Sequence, residues 1–304
     1  MTATYADVSS RIETDWYPYH EGEYFTHTDI CQYFEWREPE TKKLVSKKLY
    51  HDYKTKDPAR LEKNGKTYRI IDDDAPEIDW QAADENKTID IVLPFDLHKY
   101  VKFFPKCVIC VAGEPNAGKT AFLYNVVLDN MYKHEITLYN SEGGKEQIKS
   151  RMSKFDIDIP NPPPFKTKER YEHFADKIHP DKFSVIDYID ADNEYWTVAQ
   201  EISSMYRKLK SGIVVCAIQK REAMKNFKGQ RVETSYGYGG TPTKKKTDLY
   251  VTMSNFPHRL RIEKGKAWMD ETINPNGMQW TYKLVNGATF VSVERDYENE
   301  VSYE

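Results

Sequence analysis

The chain has 304 residues, 30% charged and 39% hydrophobic, with a formal net charge of −4. That balance excludes a disordered or fibrous chain, suits one large plus one small globular unit, and confines any nucleic-acid binding to local clusters of charge. No apolar run approaches the ~20 residues that span a bilayer, and the opening MTATYADVSS lacks a signal-peptide core, so the expectation is a cytoplasmic protein without membrane contact.

Residues 5–16 read as a helix, and Phe25–Trp36 as a second one capped by Thr26 or Thr28. A third follows Pro39, over Glu40–Tyr53, with Leu44, Val45, Leu49 and Tyr53 on one face. LEKNGKTYRII then carries two β-like runs around Asn64-Gly65, a two-residue hairpin signal. Three helices and a hairpin are the order of a winged helix-turn-helix, assigned to residues 1–71. Between Arg37 and Arg69 there are eleven Lys/Arg against five Asp/Glu, a net of +6. Lys42, Lys43, Lys47 and Lys48 are expected along one side of the third helix, with Lys63 and Lys66 flanking the hairpin tip. This is how a helix enters a groove while the wing touches the backbone. A lysine-rich face on a protein-docking module has the same pattern, so DNA, RNA and protein all stay open as partners. Ile70–Val92 reverses sign, with eight acids against Lys87. It reads as an acidic linker over residues 72–90, with Ile78 and Trp80 as anchors.

Residues 91–304 carry the larger unit. Lys106–Ala112 (KCVICVA) reads as a buried strand and Ala121–Tyr132 as a helix. Between them Gly113, Glu114, Pro115, Asn116, Ala117, Gly118, Lys119 and Thr120 fit G-x-x-x-x-G-K-[ST]. Glycines allow a turn that aims backbone N–H groups at phosphates, Lys119 brings a charge to the β/γ-phosphates, and Thr120 offers a hydroxyl to Mg²⁺. The expected ligands are therefore ATP and Mg²⁺. Cys107-x-x-Cys110 has the spacing of half a zinc site, lacks a second pair, and reads as core packing. With Cys31 and Cys216 the cysteines number four, too few for a disulfide scaffold.

Further strands are expected at His134–Ser141, Phe183–Tyr188, Ile213–Ile218 and Asp248–Ser254, with helices at Lys145–Phe155 and Asn193–Lys210. The second helix shows Trp196, Ala199, Ile202, Tyr206 and Leu209 at helical spacing. Alternating strands and helices imply an α/β fold with a mainly parallel sheet and polar groups at the strands' carboxyl ends. Asp187, ending one strand, suits a magnesium-side carboxylate, with Asp190 and Asp192 as alternatives. Glu142 suits a general base for water, and Gln219 a γ-phosphate sensor.

AGEPNAGKT, YNSEGGKEQIKSRM, VIDYID and VCAIQ in this order resemble the RecA-like cores of the DnaB and RepA replicative-helicase group, over about residues 90–270. The resemblance implies a RecA-like P-loop core of phage or mobile-element type that hydrolyses ATP. It implies the base role for Glu142, the magnesium role for Asp187 and the sensor role for Gln219. It also implies self-association, as a hexameric ring or filament, and a channel for single-stranded DNA. From Lys220 to Lys266 twelve Lys/Arg face four acids around the glycine-rich SYGYGGTPTKKKTDL. Lys244, Lys245 and Lys246 are the nucleic-acid candidates there, with Tyr236 and Tyr238 for stacking. The group's trans-acting K-x-R pair is represented by Lys264-Gly265-Lys266; Lys264 fits the lysine, while Lys266, Arg259 and Arg261 compete for the second place. The last 34 residues hold β-like runs and show no chemistry. The expectation is an ATP-hydrolysing, DNA-binding protein of helicase or replication/recombination type; an ATP-controlled switch and a loader are the alternatives.

Overall fold

The computed structural model describes residues 3–71, 75, 77–190, 195–221, 224–225, 231–232 and 234–299. Contacts divide the chain into two units, residues 1–83 and 84–304.

In the first unit, α1 (Tyr5–Arg11) and α2 (His27–Tyr33) both start in capping boxes. Thr4 accepts from the Asp7 amide and Thr26 from the Asp29 amide, each at 3.3 Å, and each aspartate accepts the cap's own N–H. Thr26, not Thr28, is the cap, because β1 (Tyr24–Thr26) is extended and occupies the start of the expected helix. α3 (Pro39–Tyr50) has its proline in the first turn, where no N–H is needed. β2 (Leu61–Asn64) and β3 (Thr67–Ile70) form a hairpin with Asn64 paired to Thr67, so the turn is Gly65-Lys66, one residue later than expected. Gly65, at φ 59°, supplies the positive φ that this turn requires. The sheet order is β1-β3-β2, antiparallel throughout. Val8, Ile12, Trp16, Phe25, Ile30, Val45, Leu49, Leu61 and Ile70 form the core.

Lys48 departs from the expected basic side. Lys42, Lys43 and Lys47 are exposed, but Lys48 falls on the stripe Thr41, Val45, Leu49 and Asp52 and is 3% exposed. Its ammonium lies 3.0 Å from Asp52 and also pairs with Glu13. Ile78 and Trp80 do not anchor the acidic stretch; they are 83% and 73% exposed.

The second unit begins before residue 91: the Ile89 amide donates to Phe103 O at 2.7 Å, and Asp90 pairs with Lys133 at 2.9 Å. Its strands are β4 (Cys107–Gly113), β5 (Ile136–Asn140), β6 (Lys166–Glu169), β7 (Phe183–Ile189), β8 (Ile213–Gln219), the short pair β9 (Met224–Lys225) and β10 (Arg231–Val232), then β11 (Leu249–Ser254), β12 (Arg259–Gly265), β13 (Gln279–Val285) and β14 (Thr289–Arg295). Nine of them form one sheet in the order β14-β13-β12-β11-β4-β8-β7-β5-β6. The run from β11 to β6 is parallel, and β12, β13 and β14 extend it antiparallel. The fold is α/β with a mainly parallel sheet. β4 is buried on both faces: Cys107, Ile109 and Val111 point to one core, Val108, Cys110 and Ala112 to the other. α4 (Lys119–Asn130) covers the first face through Phe122, Leu123 and Val126, and α6 (Tyr195–Lys208) covers the second through Val198, Ile202 and Met205. Trp196, expected on the buried stripe of α6, is instead 60% exposed. α5 (Lys145–Met152) follows β5. All four cysteines are buried free thiols. No helix among the described residues is long and apolar enough to cross a membrane.

Candidate nucleotide site

Parallel pairing fixes the site. Gly113 at the end of β4 lies in register with Gln219 on β8 and Met253 on β11, and Asn140 on β5 lies in register with Asp187 on β7. The carboxyl ends of adjacent strands therefore present Lys119, Gln219, Asp187 and Glu142 at one edge. At Gly113 a Cβ would stand 2.5 Å from Lys119 Cγ, so the strand must end in glycine for the lysine to fold back over it. Asn116 (φ 61°) and Gly118 (φ 93°) supply the left-handed turns that lead into α4.

Lys119 Nζ donates to Gly113 O and Glu114 O at 3.2 Å and to Gln219 Oε1 at 2.9 Å. Burial holds its ammonium below the usual lysine range, against the attraction of Glu142 and Asp187. Thr120 Oγ1 donates to Asp187 Oδ1 at 3.0 Å. Asp187 is 1% exposed, and burial pushes its carboxyl up to about 6. Its Oδ2 has no hydrogen-bond partner among the described residues, the mark of a carboxylate oxygen suited to a cation. Thr120 and Asp187 thus fit a hard divalent ion. Asp190 is exposed, and Asp192 lies outside the described residues. Glu142 follows Ser141, whose hydroxyl accepts from the Tyr188 amide at 2.9 Å, tying the ends of β5 and β7 together.

Lys119, Thr120, Glu142 and Gln219 line a cleft of about 570 Å³, together with Pro115, Asn116, Gly118 and Ala121, while Asp187 lies behind it, bonded to Thr120. Two members of the phosphate-loop motif do structural work instead. Glu114 is 2% exposed, and its Oε2 accepts from the Asn255 amide at 2.9 Å, fastening the loop to the end of β11. Ala117 O accepts from Tyr282 OH at 2.6 Å. Neither side chain points at the cleft.

The C-terminal strands, read above as lacking chemistry, form a wall of the cleft. Leu284 and Gly287 line it, Phe290 lies where a Cβ at Gly118 would be 3.2 Å away, and Asn125 donates to Ala288 O at 3.0 Å. Tyr124, Arg151, Lys154, Phe155 and Tyr188 are further lining residues that sequence reading missed. For Arg151 a signal existed: it is four residues after Gln147 on the helix that follows Glu142.

The basic candidates separate. Lys244 is half-buried, paired with Glu263 at 3.4 Å, so its charge serves the fold. Lys245 and Lys246 are exposed; Lys246 lies 5.2 Å from the Tyr206 ring centre, and Lys106 lies 4.9 Å from the same ring. This turn precedes β11, at the opposite end of the parallel strands from the phosphate loop. Tyr236 is 38% exposed, while the Tyr238 amide donates to Gln219 O at 2.7 Å and its ring packs on the core. Much of the basic loop between residues 222 and 233 lies outside the described residues. Neither arginine of β12 points free. Arg261 donates twice to Gln279 Oε1, at 3.0 and 2.7 Å, and Arg259 pairs with Asp296 at 3.6 Å. Lys264 donates to Lys244 O at 2.7 Å, and Lys266 pairs with Asp248 at 3.4 Å. In the first unit, Lys43 pairs with Glu40 at 2.8 Å and Lys47 lies 5.1 Å from the Tyr5 ring centre.

Comparison with family models gives no match, and comparison with curated protein sequences gives none either. Among solved structures, the chain is similar to a KaiC-like protein, PH0186, from the hyperthermophilic archaeon Pyrococcus horikoshii OT3. The identity is 12%, the TM-score 0.49, and the match covers 68% of this chain and 99% of that one.

Proposed function

We propose that this chain is an ATP-hydrolysing, DNA-binding protein of helicase-like or replication/recombination type, acting on single-stranded DNA as an oligomer. The observation that carries the hydrolytic reading is the convergence from four strand ends of Lys119, Thr120, Glu142 and Gln219 on one cleft, with Asp187 bonded to Thr120 beside it. Lys119 and the loop's N–H groups hold the β- and γ-phosphates. Thr120 and Asp187 hold Mg²⁺, which when bound neutralises phosphate charge. Glu142 takes a proton from the attacking water as its oxygen bonds the γ-phosphorus. The bond to the bridging oxygen breaks, leaving ADP and phosphate. The Tyr124, Phe155 and Leu284 side of the cleft is the apolar region that suits the base.

DNA contact is the further part of the proposal. It rests on the exposed Lys245 and Lys246 and on the first unit, which we read as a winged helix from its helix order and its β1-β3-β2 sheet. One observation favours a second reading, an ATP-controlled switch or loader: Arg259 and Arg261 are engaged by the chain's own C-terminal strands, leaving no β12 arginine to reach a neighbour's ATP.

ATPase rate with and without single-stranded DNA tests the choice. A motor is stimulated severalfold and forms a ring or filament with ATP analogue; an unstimulated monomer supports the switch. Glu142→Gln should lower kcat by about 10²–10⁴-fold while nucleotide still binds. Wild-type turnover in that variant would remove Glu142 from the reaction.

A further inference from the structure

Among the described residues, one arginine lines the phosphate cleft: Arg151 on α5. Its guanidinium lies 3.7 Å from Asp187 Oδ2 and 4.0 Å from Glu142 Oε2, both longer than hydrogen bonds. In the amide orientation that satisfies both its ends, Gln147 accepts from Arg151 at 3.3 Å and donates to Glu142 O at 3.0 Å. A single cation thus rests loosely between the carboxylate suited to a metal and the carboxylate suited to water. Both have other work during hydrolysis. Arg151 cannot keep its place beside Asp187 once that oxygen serves a divalent cation, because like charges repel at this range. Across the same cleft a triphosphate offers a guanidinium fork several anionic oxygens. The arginines of β12 do not compete for the role, since both are engaged elsewhere.

We propose that Arg151 is a phosphate-contact residue that moves from Glu142 and Asp187 onto the terminal phosphate of a bound nucleoside triphosphate. It thereby releases both carboxylates and lets the site recognise the γ-phosphate from within its own chain. The inference rests on the ATP-site reading above.

Binding of a non-hydrolysable ATP analogue and of ADP, each with Mg²⁺, to wild type, Arg151→Ala and Arg151→Lys tests it. In Arg151→Ala the affinity for the triphosphate should fall about tenfold to a hundredfold, the worth of a charge-assisted hydrogen bond, with ADP affinity within threefold of wild type. Arg151→Lys should fall between, and it carries the test if the alanine variant does not fold. Mn²⁺ alone should bind Arg151→Ala more tightly than wild type, because the competing cation is gone. A merely structural role weakens both nucleotides together and does not tighten Mn²⁺. An unchanged triphosphate-to-diphosphate ratio, with wild type binding both, overturns the role of Arg151 alone. Failure of wild type to bind either nucleotide overturns the ATP-site reading and this inference with it.

Discussion

Lys119 Nζ donates to Gln219 Oε1 at 2.9 Å, joining the phosphate-loop ammonium to an amide one hundred residues later in the chain. The bond exists because β8 lies directly beside β4, with Gln219 in register with Gly113. Under the proposed function a γ-phosphate would compete for the same ammonium, and its arrival would change what Gln219 can bond.

Substitution at Gln219 should therefore separate binding from turnover. Gln219→Ala removes only the report of the γ-phosphate: kcat falls about tenfold or more, with nucleotide affinity within about threefold, since one neutral bond to a charged group is at stake. Gln219→Glu instead places a carboxylate on Lys119 in a partly buried site, where charge-assisted bonds are about twice as strong. Nucleotide affinity should then fall at least tenfold. Equal affinities for the two variants would show that the contact does not compete with phosphate.

Asp187 gives the site a pH dependence of known sign. Burial raises its carboxyl to about 6, so the neutral form prevails below that value. A cation needs the ionised form, so protons and Mg²⁺ compete. Mg²⁺-dependent nucleotide affinity should be flat above about pH 7 and fall by up to about tenfold per unit below 6. Titration of nucleotide binding between pH 5 and 8 measures this. Asp187→Asn should remove the dependence along with most metal binding; a profile that stays flat to pH 5 in wild type would refute the assignment.

The sequence made the phosphate loop and the four strand ends legible, because motif spacing and apolar runs report β4, β5, β7 and β8 directly. Lys48 and Lys244 depart from their expected exposure for one reason: a charged residue's type says nothing of its burial, which here is set by partners distant in sequence (Glu13 and Glu263). β6 escaped because all four of its residues are exposed. The cleft wall at Leu284 and Gly287 escaped for another reason. Alternation revealed the C-terminal strands, but only antiparallel addition after β11 brings their turn back over the phosphate loop.

The buried pair in the first unit should dominate its stability. Asp52 is fully buried and accepts from Tyr17 OH at 2.7 Å and from Lys48 at 3.1 Å. Burial alone would raise its carboxyl, but hydrogen bonds from Tyr17, Lys48 and His51 outweigh it and hold the group below the usual range. A depressed acid contributes stability above its unfolded pKa, near 3.9, and loses it as pH falls through the lower folded value. This unit should keep its stability from neutral pH to about 4 and lose it below. Asp52→Asn leaves the Lys48 ammonium with Glu13 alone and should cost about 3 kcal/mol. Denaturant melts following the Trp16 and Trp36 environment would read it; a loss under about 1 kcal/mol would mean that Glu13 suffices.

The last prediction separates the three neighbouring lysines. Lys245 and Lys246 are exposed, whereas Lys244 is held by Glu263, itself 8% exposed and also accepting from Thr252 at 2.9 Å. If the turn meets DNA, replacing Lys245 and Lys246 together by alanine should weaken single-strand binding. It should also make the log–log salt slope shallower by about 1.4, at ~0.7 per phosphate contact, with an unchanged melting curve. Lys244→Ala should do the reverse, because it strands a buried carboxylate: stability falls by about 3 kcal/mol and the salt slope stays as in wild type. The two readouts move independently, so a salt slope that shifts with Lys244→Ala but not with the double variant would place the DNA contact on the wrong side of this turn.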